Sequence, residues 1–159
     1  MIDDEVKISA IIVLIISAII IIYPLVSSTR RVEPFSYMSI LNVNGLPVFP
    51  KSVKIGENLN FNVEIGNHEG KSEYYKIIVK IGDHSSNVSD TIPFNALIIN
   101  SYETIVEDNH NSTLSINLNL LTGGINRRIV FELYKYDINV DSFTYYGWNQ
   151  VWLNITTIS

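Results

Sequence analysis

A chain of 159 residues with no cysteine and a net charge of −5 suits one domain of ordinary size. The missing thiols exclude a disulfide framework, a thiolate zinc site, an iron–sulfur cluster and a cysteine nucleophile. Basic residues scattered through an acidic chain argue against a nucleic-acid-binding surface.

The first predicted element is the run 8–26. Of its 19 residues 16 are apolar, nine are isoleucine and none is charged. As a helix it spans roughly 30 Å, the thickness of a hydrocarbon core. Isoleucine is a modest helix former in water, but lipid leaves the backbone no other way to satisfy its polar groups. Tyr23 belongs at headgroup level, Pro24 loosens the exit, and Arg30 and Arg31 mark the return to water. A buried core helix is rarely so uniformly apolar. A cleaved secretory signal would use Val26 and Ser28 as small positions before the cut, but its first region should be basic and residues 1–7 are acidic. The expectation is a retained single-span anchor in the lipid bilayer at 8–26, after a short flank at 1–7 and before a juxtamembrane linker at 27–34.

Orientation meets two opposing signals. Lys7 on one side against Arg30, Arg31, Lys51 and Lys54 on the other would place the large domain in the cytoplasm. From Val32 on, however, 128 residues hold only 8 Lys/Arg and 13 Asp/Glu, well under the usual charge density of ~25%. Solubility comes instead from Asn, Ser and Thr, so the domain is expected outside the cytoplasm, at the cell membrane. Three glycosylation sequons, at Asn87, Asn111 and Asn154, fit the acceptor pattern. With 17 Asn and 24 Ser/Thr, chance alone supplies about as many, so they are permitted sites and carry no address.

After Arg31 the apolar period becomes two. Leu59, Phe61, Val63 and Ile65 alternate with polar residues, as do Tyr75, Ile77, Val79 and Ile81, and then Leu114, Ile116, Leu118 and Leu120. Ile129, Phe131 and Leu133 follow, and Val151, Leu153 and Ile155 close the series. Less regular strands are expected at 35–42, around Val53 and at 91–99. Turn signals separate them at 44–47, 66–70, 82–83 and 122–124. Seven or eight short strands with one wet face each predict a mainly β fold, an antiparallel β-sandwich over 35–159.

The stretch Val53-Lys54-Ile55-Gly56-Glu57, the alternating strand after it and the turn Asn67-His68-Glu69-Gly70 resemble a known family, continuing through Tyr75 to Val79. So do Phe131-Glu132-Leu133-Tyr134-Lys135 and the closing Val151-Trp152-Leu153-Asn154-Ile155. The family is the predominantly archaeal membrane-protein family called domain of unknown function 1616, and the likeness runs from Phe35 to Thr157. Larger members carry several spans before the sandwich, whereas this chain has one. The resemblance implies a membrane-attached, Ig-like outer domain and brings no activity with it.

Asn67-His68-Glu69 is the one cluster that invites a mechanism. His beside Glu suits a metal ligand with a carboxylate, or a general base with an orienting acid. Neighbouring strand positions point to opposite faces, however, so the reading preferred is a hairpin in which Asn67 caps the turn and Gly66 and Gly70 supply unusual φ values. His84 and His110 lie in polar segments without zinc spacing. No serine sits in a nucleophile elbow and no glycine loop cradles phosphate. The expectation is therefore no catalytic, cofactor-binding or metal-ligating residue and no small-molecule substrate.

Tyr145, Tyr146, Trp148 and Trp152 are the partner-binding candidates, because exposed aromatics anchor interfaces. The competing reading packs them over the open end of the sandwich or beneath a loop. The function expected is a non-enzymatic interaction or scaffold module of the cell envelope, its partner another envelope or membrane protein. Two other readings are an accessory subunit of a membrane enzyme complex, with Ser9, Ala10, Ser17 and Ala18 permitting helix packing, and a pilin-like filament subunit. Against the last, Lys7-Ile8 is a poor match to a pilin leader.

Overall fold

A computed structural model describes residues 4–28 and 33–157, in two compact units, Met1–Glu33 and Pro34–Ser159. In the first unit, helix α1 spans Asp4–Ser28 without a break. Its described side chains from Ile8 to Tyr23 are exposed on every side. The hydroxyl of Ser17 donates to the Val13 carbonyl at 2.8 Å, so this polar group is satisfied within the helix itself. The expected end of the apolar run at 24–26 has no described side chains, and residues 1–3 and 29–32 of the expected flank and linker also lie outside the described residues. Among the described residues no helix is long and apolar enough to cross a membrane.

The second unit is mainly β, with eight strands among the described residues: β1 (Phe35–Leu41), β2 (Ser52–Lys54), β3 (Asn58–His68), β4 (Glu73–Gly82), β5 (Leu97–Val106), β6 (His110–Asn119), β7 (Gly124–Asp137) and β8 (Ser142–Thr156). They form a three-stranded sheet, β1-β3-β6, and a five-stranded sheet, β2-β8-β7-β4-β5. The alternating rows face inward as their period requires. Phe61, Val63 and Ile65 of β3, Tyr75, Ile77 and Val79 of β4, and Ile129, Phe131 and Leu133 of β7 are all buried. The rings of Phe61 and Phe131 meet edge-on at 5.2 Å and join the two sheets.

Three expectations need correction. The sandwich is not wholly antiparallel, because β2 runs parallel to β8, with Ser52 opposite Asn154 and Lys54 opposite Thr156. The strand expected at 91–99 begins only at Leu97, and residues 83–96 form no strand. The last strand starts at Ser142, well before Val151. A register shift at Leu133/Tyr134 leaves Tyr146 without an opposite partner, which reverses the inward–outward order and hides the period.

Candidate functional site

The Asn67-His68-Glu69 stretch closes β3 and sends its three side chains to three different places. Asn67 is fully buried; its amide donates to the Lys71 and Val106 carbonyls, each at 2.8 Å, and its carbonyl oxygen accepts the Glu69 N–H at 3.0 Å. This Asx turn makes Asn67 the cap of the β3–β4 turn. The turn is not the hairpin expected from the sequence: β3 and β4 do not pair, and the chain crosses here from the three-stranded sheet to the five-stranded one. Gly70 supplies the positive φ, +80°. Gly66 serves differently: a Cβ there would run into the Tyr37 ring. His68 stacks on Phe35 with centroids 4.7 Å apart, and its Nδ1 lies 3.1 Å from the Asn109 side-chain oxygen.

Glu69 turns into the mouth of the sandwich, where three strands supply its partners and a fourth braces one of them. Ser36 of β1 donates its hydroxyl to Glu69 at 2.6 Å, and Lys135 of β7 pairs with the same carboxylate at 3.0 Å. Since the Ser36 proton is spent on Glu69, the Tyr75 hydroxyl, 2.7 Å away on β4, donates to Ser36. Tyr146 of β8 accepts the Ser36 N–H at 2.7 Å and also bonds Glu69. Lys135 lies 5.1 Å over the Tyr146 ring. Beside this knot opens a cleft of about 260 Å³ lined by Glu69, Glu73, Lys135, Asp137 and Thr144.

The electrostatics set what the knot can do. Burial pushes the Glu69 carboxyl up, but Ser36, Lys135 and Tyr146 outweigh it and hold it below the ordinary value. Burial pushes the Tyr75 hydroxyl up to about 12, and the nearby Glu69 and Glu73 charges add to it. The arrangement clasps the two sheets.

This knot has a pH signature. A carboxyl depressed in the folded state adds stability that is complete above its unfolded value and lost as pH falls through the folded one. Below the ordinary value of 4.5, the native chain should therefore lose stability more steeply than a Glu69→Gln variant. Unfolding midpoints measured against pH check this, and parallel acid limbs for the two proteins would remove Glu69 from the role.

The aromatic candidates are not one cluster. Tyr146 belongs to the knot, while Tyr145, Trp148 and Trp152 lie on the outer face of the five-stranded sheet. There the 83–96 segment crosses the sheet. The Tyr145 hydroxyl donates to the Ser89 carbonyl and the Trp148 indole N–H to Asp90, each at 2.8 Å. Burial, with the Glu132 and Asp90 charges, pushes the Tyr145 hydroxyl up to about 12, so it stays a donor. Arg128 donates to the Ser86 carbonyl at 2.8 Å and lies 4.2 Å over the Trp152 ring. Beneath the same segment Lys80 and Glu132 form a buried ion pair at 2.8 Å. Lys80 also donates to the Phe94 carbonyl at 2.6 Å, and Glu132 accepts the Phe94 N–H and the Tyr134 hydroxyl. Nothing in the local pattern marks Lys80 and Glu132, which read as ordinary solvent-facing strand residues; only the crossing segment buries them.

Among the acceptor asparagines, Asn87 and Asn111 are exposed, whereas Asn154 is half-buried and its side-chain oxygen takes the Asn126 N–H at 2.8 Å. His84 and His110 are exposed and lie apart from His68 in the sequence and in their partners. Among the described residues no group of three or more His, Asp or Glu side chains converges as a metal site would require.

Comparison with solved structures shows the fold. The CARDB domain of a Pyrococcus furiosus protein, solved with di-metal ions, superposes with a TM-score of 0.50 at 12% identity, covering 79% of this chain and 90% of that one. Weaker likenesses are to a β-glucosidase from Listeria innocua in complex with glucose (TM-score 0.45, 12% identity, 79% of this chain) and to Spo0M, the sporulation control protein of Bacillus subtilis (0.46, 12%, 76%). This chain spans only 17% and 49% of those two longer chains, and they carry no argument here. No curated protein matches the chain in sequence. Residues 30–152 match the family model described as domain of unknown function (DUF1616), and over that span, which takes in all eight strands but the last few residues of β8, the chain belongs to the DUF1616 family.

Proposed function

We propose that this chain is a single-span membrane protein whose β-sandwich lies outside the cytoplasm and works by contact, as a non-enzymatic interaction or scaffold module of the cell envelope. The observation that carries the reading is the sequence run 8–26, 19 residues of which 16 are apolar and none is charged. The described side chains of α1 reach only Tyr23 and by themselves are not long and apolar enough to span a membrane, so the reading rests on the whole run, for which lipid is the fitting surrounding. The sandwich supports the second half of the reading, because the polar groups that could have served chemistry at its mouth are spent on joining strands. Its partner is another envelope or membrane protein. Of the aromatic candidates, Trp152 and Tyr146 are the more exposed, at 38% and 37%, and offer contact area to that partner.

The test is a double substitution, Ile15→Asp with Ile19→Asp. Each acid near a helix centre costs about 2.5–3.5 kcal/mol on insertion scales, so the variant should leave the membrane fraction. Full retention of the variant in alkali-washed membranes would end the anchor reading. Protease added to intact cells should remove the sandwich; complete protection beside a cytoplasmic control would reverse the orientation.

A further inference from the structure

The fold treats the three glycosylation sequons differently. A glycosyl transferase has to reach the asparagine amide and the hydroxyl two residues on, so both must face outward. Asn154 fails this requirement. It sits in β8 between β2 and β7, its side-chain oxygen takes the Asn126 N–H, and the Thr156 hydroxyl donates to the Val53 carbonyl at 3.2 Å. Asn87 is exposed, but Ser89 is half-buried: its carbonyl accepts the Tyr145 hydroxyl, and its own hydroxyl lies 3.1 Å from that of Thr91. Asn111 meets the requirement. Among the described residues β6 ends the three-stranded sheet, and its period of two turns Asn111 and Thr113 outward together, both exposed.

The register also places an aromatic ring beside this acceptor. Tyr37 of β1, Gly66 of β3 and Asn111 of β6 lie in one line across the sheet. A Cβ on Gly66 would run into the Tyr37 ring, so the ring takes the place of the missing side chain and reaches over β3 to Asn111. The Tyr37 hydroxyl donates to Glu64 at 3.1 Å, and the Asn111 side chain bonds the same oxygen. With its proton spent on Glu64, Tyr37 can only accept from Asn111, and the donor is Nδ2. Along the same face the side chains of Ser115 and Asn117 bond those of Asn62 and Asn60, a surface of amides and hydroxyls.

We propose that Asn111 is the N-glycosylation site of this chain and that the Tyr37 ring is the bed for its first sugar. The transfer forms a bond from Asn111 Nδ2 to the anomeric carbon of a lipid-phosphate-linked oligosaccharide. It breaks that carbon's bond to the phosphate oxygen, and one amide proton leaves to a base of the membrane transferase. Nδ2 carries two N–H groups; the sugar replaces one, and the other stays on the Tyr37 oxygen. The C–H face of the sugar then meets the ring, and its hydroxyls meet the amide face beyond. This assignment rests on the extracytoplasmic reading above, because such transfer takes place outside the cytoplasm.

Glycopeptide mass spectrometry of the full chain purified from its own membranes tests it. Asn111 should carry a glycan, and Asn87 and Asn154 should not. Thr113→Ser should keep the modification, while Thr113→Val, which preserves the β-branched shape, should abolish it. By losing the glycan, Thr113→Val should lower the thermal midpoint by about 2–4 °C, and by half that or less in a Tyr37→Leu background. A glycan on Asn87 or Asn154 with Asn111 bare overturns the proposal. So does an unmodified chain whose sandwich protease removes from intact cells, and there the orientation reading stands. An unmodified chain that resists the protease overturns the orientation reading and the proposal with it. Equal midpoint losses in the two backgrounds remove Tyr37 from the role.

Discussion

Phe61→Ala is expected to cost about 3–5 kcal/mol of folding stability, the range for removing a fully buried phenyl ring. Phe61 is 1% exposed and lies between Phe49 at 5.4 Å and Phe131 at 5.2 Å, so its ring spans the gap between the sheets. Phe131 is fully buried and Phe49 packs against the core from its margin, so the space left by the ring would close only in part. Urea unfolding of the full chain in mild detergent, followed by tryptophan fluorescence, measures the loss. A value below about 0.5 kcal/mol would mean that the β3 register is wrong, since only exposed positions are so tolerant.

Lys80→Met should be comparably severe, at about 3–5 kcal/mol, because it leaves one member of a buried ion pair without its counter-charge. Glu132 is 0% exposed and would keep only the Phe94 N–H and the Tyr134 hydroxyl. The Phe94 carbonyl would lose its donor at the same time. Adding Glu132→Gln to Lys80→Met should recover part of the loss, since a neutral amide removes the stranded charge and still accepts the Phe94 N–H. The same urea experiment decides it, with Trp148 reporting whether the 83–96 segment stays seated through Asp90. If Lys80→Met costs less than about 1 kcal/mol, or the double variant is worse than the single, the pair does not anchor that segment.

The comparison of these two sites separates what is local from what is not. Phe61 announces itself by alternation with Asn60 and Asn62, and a residue flanked by asparagines at period two can point its ring only one way. The inward rows of β3, β4, β6 and β7 follow from the same rule, as does the uncharged run of α1, because each depends on residues a few positions apart. Tertiary structure decided the rest. Lys80 does point to the outer face, as the alternation requires, yet it is buried, because the irregular segment that follows β4 folds back across it and sets the Phe94 carbonyl on its amine. Glu69 looks like a loop acid beside a histidine, but the fold brings Ser36, Lys135 and Tyr146 around it from three other strands. Tyr146 and Tyr145 are neighbours in sequence and part company at a register shift that no local pattern records. The parallel course of β2 depends on which strands meet, and that is fixed by the packing of both sheets at once. Alternation tells a strand which of its faces is apolar. Whether the other face meets water is decided by chain that arrives from elsewhere.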